Sequence, residues 1–233
     1  MNKFVITILF LSVAFSLKAQ DSTNVDPQGR PAIYWLFHNN YNMATRYNDY
    51  DVARSSLYSL INLEPQNDSL KFNLAYLYFD SRQYPSTILV CMDILARNPQ
   101  HAPSLEMSAI SFEELGIKDK SLASYEKLFI TTEDLETLYK VIYLQYDLKR
   151  YAECNVNIDI LLNDATADDK VITLQVSDNE QKQFPLKAAT LNIRGLAKKD
   201  QGDKSGDKKD FKAALELAPD FVFASDNLAE MEK

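Results

Sequence analysis

The chain is poor in the residues that build tight loops and reactive sites. Its 233 residues include five glycines, eight prolines, two cysteines, two histidines and one tryptophan. So little glycine and proline argues against a low-complexity or collagen-like chain. No glycine-rich phosphate loop is present. Two cysteines, Cys91 and Cys154, are too few for a disulfide framework and form no C-x-x-C motif. The histidines, His38 and His101, belong to no H-E-x-x-H pattern, and no G-x-S-x-G occurs. DQGDKSGDKKD resembles a calcium loop only superficially. Counted from Asp203, it lacks the glycine of the sixth place and the glutamate of the twelfth. No catalytic constellation, cofactor motif or metal-ligand set stands out, so the chain is read as a non-enzyme that needs none. Positive charge is also short, at 25 Lys and Arg against 33 Asp and Glu, a net charge of −8. That balance disfavours nucleic acid and anionic lipid as partners.

What is present is apolar and helix-compatible. Hydrophobic residues make up 46% of the chain, with 13 tyrosines and 12 phenylalanines. The first nineteen residues stand apart: a basic MNKF, the apolar run VITILFLSVAFSL, then KAQ. This is the pattern of a secretory signal peptide over 1–19, with cleavage expected after Ala19. No later run is long enough to span a bilayer, so stable membrane insertion is not expected after cleavage. Loss of Lys3 and Lys18 would take the mature chain to −8 − 2 = −10.

A helix-like pattern recurs. Tyr50, Ala53, Leu57 and Leu60 precede Pro65; Tyr84, Thr87, Cys91 and Ile94 precede Pro99. Lys118, Ser121, Tyr125 and Leu128 precede Glu133, and Tyr151, Cys154, Ile158 and Leu161 follow in the same spacing. Lys204, Asp207, Phe211 and Ala214 precede Pro219. First-slot spacings are 84 − 50 = 34, 118 − 84 = 34, 151 − 118 = 33 and 204 − 151 = 53. The +3, +7 and +10 offsets set one small and two larger residues on a single helix face. Each such helix (B) is preceded by another helical run (A): NYNMATRY, FNLAYLYF, SLEMSAISFEEL, LETLYKVIYLQYDL and KAATLNIRGLAKKD.

Paired helices of this period, with small residues at the crossing and proline at the turn, resemble the tetratricopeptide repeat (TPR) family. The last copy matches best, through Gly195, Gly202, Ala214 and Pro219. The first departs, with Tyr41 in a small-residue slot. The resemblance implies an all-α superhelical solenoid of about five helix pairs. Expected divisions are an N-terminal extension (20–33), repeats 1–4 (34–164), an insertion (165–186), repeat 5 (187–219) and a capping helix (220–233). In the insertion, VITLQV alternates, SDNE reads as a turn and QKQFPL could pair back, predicting a small β-hairpin. In the cap, Phe221, Leu228 and Met231 are expected to pack back while Asp226, Glu230 and Glu232 face water. Asp207 is expected to be the N-cap of a shortened last B helix, with Gly206 just outside it, because an unpaired buried carboxylate is costly. The cysteines lie two repeats apart. At ~10 Å per helix diameter they exceed the ~7 Å Cα limit for a disulfide, so both are expected as buried thiols.

The resemblance also implies a binding face on the A helices. Carrying over the family's groove positions gives Trp35, His38, Asn42 and Thr45 in the first copy, and Ser69, Phe72, Tyr76 and Phe79 in the second. The third gives Pro103, Glu106, Ile110 and Glu113, the fourth Tyr139 and Tyr143, and the fifth Ala189, Asn192, Leu196 and Lys199. Phe72, Pro103 and Glu106 stand where a carboxylate clamp would need polar or basic groups, which disfavours that mode. His101 is expected to be exposed in an inter-repeat turn. These observations point to an exported, periplasmic or extracellular scaffold that binds a protein or peptide of the cell envelope. A small-ligand or glycan-binding protein that stacks its ligand on groove aromatics is the alternative.

Overall fold

The structure is a computed structural model and describes residues 25–231; the signal-peptide segment 1–19 and Glu232 lie outside the described residues. Five antiparallel helix pairs follow one another: α1 (Ala32–Arg46) with α2 (Tyr50–Leu63), α3 (Asp68–Asp80) with α4 (Tyr84–Leu95), and α5 (Ala102–Glu114) with α6 (Lys118–Thr132). Then come α7 (Leu135–Asp147) with α8 (Tyr151–Asn163) and α9 (Leu186–Asp200) with α10 (Lys204–Leu217). An eleventh helix, α11 (Val222–Met231), closes the stack. Strands β1 (Val171–Ser177) and β2 (Glu180–Pro185) form an antiparallel hairpin between α8 and α9. The solenoid, the inserted hairpin and the cap are thus all present. The turn falls on SDNE as expected: Ser177 pairs with Glu180 and leaves two residues between the strands.

The repeat slots explain the packing. Every B helix begins at its first-slot residue, Tyr50, Tyr84, Lys118, Tyr151 or Lys204. The +3 residues Ala53, Thr87, Ser121, Cys154 and Asp207 are all at or below 1% exposure. They sit where each B helix crosses its A partner, and Ala75, Ala109 and Gly195 occupy the facing slots, all buried. Close approach is visible in the bonds across: Ser121 Oγ donates to the Ala109 carbonyl at 2.9 Å, and Cys154 Sγ to the Ile142 carbonyl at 3.6 Å. Gly195 is required there, because a Cβ would fall 2.5 Å from the buried Phe211 ring.

The A–B turns share a feature that composition hides. Asn48, Arg82, Gly116, Lys149 and Gly202 all have positive φ, between 55° and 84°. Each lies two residues before its B helix, at 48 against 50, 82 against 84, 116 against 118, 149 against 151 and 202 against 204. A left-handed residue is the usual device for ending a helix and reversing the chain. Only two of the five use glycine, which is why the repeat needs so little of it. Proline at 65, 99 and 219 follows α2, α4 and α10 and prevents continuation; of the two copies without it, α6 ends on Glu133 at φ 53° and α8 on an extended Asp164.

Asp207 corrects an expectation. α10 starts at Lys204, its N-cap is Asp203, which accepts from the Gly206 N–H at 3.1 Å, and Gly206 lies inside the helix. Asp207 is fully buried in the crossing slot. Its carboxylate accepts from the Lys208 N–H in the first turn, where the helix dipole favours negative charge. The cap behaves as expected among the described residues: Phe221 is buried, Leu228 and Met231 pack on the C-terminal core, and Asp226 is exposed. Glu230 is exposed and pairs with Lys199 at 2.9 Å.

Cys91 and Cys154 are free and buried. Burial pushes their thiols up to about 11 and about 12. Neither should react with a thiol reagent near neutral pH until the chain unfolds. Because the raised values belong to the folded state, only the unfolded chain ionises between the ordinary thiol value of 9.0 and about 11 to 12. The thiol contribution to stability should therefore be flat below 9.0 and fall as pH rises through that window. Denaturation of the wild type against Cys91→Ala/Cys154→Ala over alkaline pH checks this.

Candidate functional site: a groove walled by the inserted hairpin

The C-terminal half carries two adjoining clefts. One, of about 410 Å³, lies between α7, β1, α9 and the start of α11. Tyr139, Lys140, Tyr143 and Tyr146 supply its α7 wall, Asn192, Ile193 and Leu196 its α9 wall, and Leu174 and Gln175 the hairpin side. Phe221, Phe223 and Glu113 complete the lining. The second, of about 700 Å³, runs from Glu106, Ile110, Glu113 and Glu114 of α5 across the start of α7 to residues 171–174 of β1. Glu113, Tyr139, Lys140 and Leu174 line both, so the two form one groove.

Local sequence explains each wall. β1 places Ile172, Leu174 and Val176 on one face and Val171, Thr173 and Gln175 on the other. The first set packs into the C-terminal core with Phe184 and Phe221, and the second is exposed. The hairpin is thereby anchored by one face, while its β1 side is left bordering the groove. α7 holds Tyr139 and Leu138 inward and leaves Tyr143 45% exposed one turn on. Asn227 Nδ2 of α11 donates to Asn192 Oδ1 at 3.0 Å, fixing a groove residue against the cap.

The electrostatics are one-sided. Lys140 is the one basic residue lining the groove, against Glu106, Glu113, Glu114, Asp134 and Glu136. Asp134 is already engaged: it caps α7 through the Thr137 N–H at 2.8 Å and meets Lys170 at 3.4 Å. Those bonds hold its carboxyl below the usual range, against the upward pull of its burial. Burial and the neighbouring Asp200 carboxylate push Tyr146 up to about 12. Burial likewise raises Tyr139 and, with the Glu113 carboxylate, Tyr125. These phenols stay protonated at neutral pH and can donate; Tyr125 already does so to Glu113 Oε2, at 3.4 Å.

The family-derived binding face is divided by the structure. Glu106, Ile110, Glu113, Tyr139 and Tyr143 come together in the groove, as do Asn192 and Leu196. The N-terminal residues do not join them. Trp35 is 40% exposed and meets the His38 ring edge-on at 5.5 Å, and Asn42 Nδ2 lies 3.1 Å from His38 Nδ1. Phe72 and Phe79 pack on Ala75, Cys91 and Met107 within the stack, while Tyr76 is 55% exposed. Neither histidine lines the groove. His101 is half-buried rather than exposed, because it caps α5 through the Ser104 N–H at 3.3 Å and meets the Phe72 ring edge-on at 5.5 Å.

No family model and no curated protein sequence matches the chain. Solved structures do. A tetratricopeptide repeat protein from Parabacteroides merdae is similar at TM-score 0.61 and 19% identity, over 85% of this chain and 72% of that one. YrrB, described as a TPR protein with an unusual peptide-binding site, is similar at 0.62 and 11%, over 82% and 89%. MamA is similar at 0.59 and 12%, over 79% and 91%. The fold is the tetratricopeptide repeat fold.

In this TPR-fold chain the groove residues that sequence reasoning missed include Lys140, Tyr146, Leu174, Gln175 and Phe223. Leu174 had a usable signal in the alternation of VITLQV, but nothing local shows that the hairpin folds back onto α9 and α11. Among the described residues no three His, Cys, Asp or Glu side chains group as a metal site, and no helix is long and apolar enough to cross a membrane.

Proposed function

We propose that this chain is a non-catalytic interaction scaffold that holds a protein or peptide partner in the groove between α5, α7, α9 and the hairpin. The observation that carries the reading is the groove itself, a built cleft lined by exposed Tyr143, half-buried Leu174 and Leu196, and polar residues. Such surfaces suit peptide anchors. The TPR fold supports it, and YrrB's described peptide-binding site shows that the architecture can serve this purpose elsewhere. With its signal-like N-terminus, the chain would meet its partner in the cell envelope, as a periplasmic or extracellular protein. The test is capture of a partner from envelope extract by the wild type, Tyr143→Ala, Leu196→Ala and Trp35→Ala. The two groove variants should lose at least about tenfold of the captured partner, the scale of one buried aromatic anchor, while Trp35→Ala retains it. Equal capture by all four would place the interaction outside the groove.

A further inference from the structure

The inserted hairpin leaves one edge of β1 unpaired, and the register determines which groups that edge offers. The Leu186 N–H donates to the Lys170 carbonyl at 2.9 Å, and Val171, Thr173 and Gln175 face Pro185, Gln183 and Gln181. Hydrogen-bonded and non-bonded pairs alternate along an antiparallel ladder. Lys170, Ile172 and Leu174 therefore bond towards β2, whereas Val171, Thr173 and Gln175 aim N–H and C=O away from it. Pro185 fits this register, because it stands opposite Val171 where the ladder needs no N–H. Among the described residues, no backbone hydrogen bond joins 171–176 to any element but β2.

This edge borders the larger cleft. Residues 171–174 all line it, although successive strand side chains point to opposite faces. Lining from both faces of β1 brings the cleft along its edge, where Gln183 of β2, opposite Thr173, also reaches it. An exposed strand edge normally carries a lysine, a proline or a covering segment that blocks pairing; Val171, Thr173 and Gln175 supply none of these. Across the cleft stand Glu106, Glu113, Glu114 and Glu136, none of which makes a salt bridge among the described residues. The wall facing the free edge is thus negative, apart from Lys140.

We propose that the groove's occupant is an extended basic peptide segment that adds to β1 as a third strand. Main-chain bonds to Val171, Thr173 and Gln175 would hold it, and its lysine or arginine side chains would lie towards the α5 and α7 glutamates. The inference rests on the groove being a peptide site, and adds the peptide's conformation and charge.

Fluorescence anisotropy of the purified chain with a labelled octapeptide of alternating lysine and valine tests it. The probe should bind, and the glutamate–valine counterpart should bind at least about tenfold more weakly. N-methylating every lysine or every valine removes alternate N–H donors, and one of the two patterns should weaken binding at least about tenfold. Thr173→Pro removes an outward N–H without removing a bond to β2, and should have a similar effect. Hydrogen exchange at Ile172 and Leu174 checks that the hairpin survives the substitution; if it does not, the N-methylated probes on the unaltered chain still decide. Binding that ignores both N-methylation patterns, or equal binding of the acidic peptide, overturns the proposal. If that binding is nevertheless lost in Tyr143→Ala, the groove reading stands and strand addition alone fails. No binding at millimolar probe also overturns the proposal, and partner capture then decides the groove reading separately.

Discussion

Phe221→Ala should lower the unfolding free energy by about 3–5 kcal/mol, the usual range for truncating a buried phenylalanine. Phe221 is 1% exposed and joins three elements at once. Its ring lies 4.7 Å from Phe184 of β2 and 5.5 Å from Phe223 of α11, and it lines the groove against α9. In a stack where each repeat contacts only its neighbours, the damage should be local. Hydrogen exchange should show the hairpin, α9, α10 and α11 losing protection first, while α2 to α6 keep theirs. Partner capture should fall with it, since two groove walls lose their anchor. A uniform loss of protection along the chain would contradict the nearest-neighbour account.

Arg194→Ala should be destabilising by about 3–5 kcal/mol, because it strips a buried carboxylate of its main partner. The Asp210 side chain is 3% exposed and accepts from Arg194 Nε at 3.0 Å and Nη2 at 2.7 Å, with Lys198 Nζ at 2.7 Å. Arg194 also lies 3.9 Å from Asp159, so the cluster links α8, α9 and α10. Removing both charges is a different matter. Arg194→Met/Asp210→Leu exchanges a costly desolvated pair for apolar contact, and Lys198, 30% exposed, can turn to solvent. The double variant should lie within about 1–2 kcal/mol of the wild type, a large coupling by double-mutant cycle. Additive losses measured by urea denaturation would show that the two residues act independently.

Both predictions concern the region where sequence reasoning was least complete. The repeat was legible because each copy states the same rule: one small residue and two larger ones on a helix face, then a stop. Ala53, Thr87, Ser121 and Cys154 differ in chemistry and agree in size, which is what a helix crossing selects. Asp207 was misread because a carboxylate in that slot looks too costly for a core. Burial alone sets that cost, and the first-turn N–H donors that the helix start supplies offset it. The positive-φ turns carry no glycine signal at Asn48, Arg82 and Lys149; Asn48 tolerates the left-handed region, whereas tertiary packing imposes it on Arg82 and Lys149 against their own preferences.

The groove shows the same limit more sharply. Family positions carried Glu106, Ile110, Glu113, Tyr139 and Tyr143 to one shared groove, since A-helix periodicity sets which side chains share a side. The same positions placed Trp35, Phe72 and Tyr76 on that face as equals. They are not, since Phe72 packs within the stack and the N-terminal copies have no hairpin beside them. By itself the sequence determined the helix pairs, their period, the two buried thiols, the hairpin and the closing helix, because short-range patterns of size and polarity suffice for each. Only the tertiary structure decided that the hairpin folds against α9 and α11 and walls a groove with the free side of β1. That contact joins residues far apart in the chain through Phe184, Leu174 and Phe221, and no periodicity encodes it.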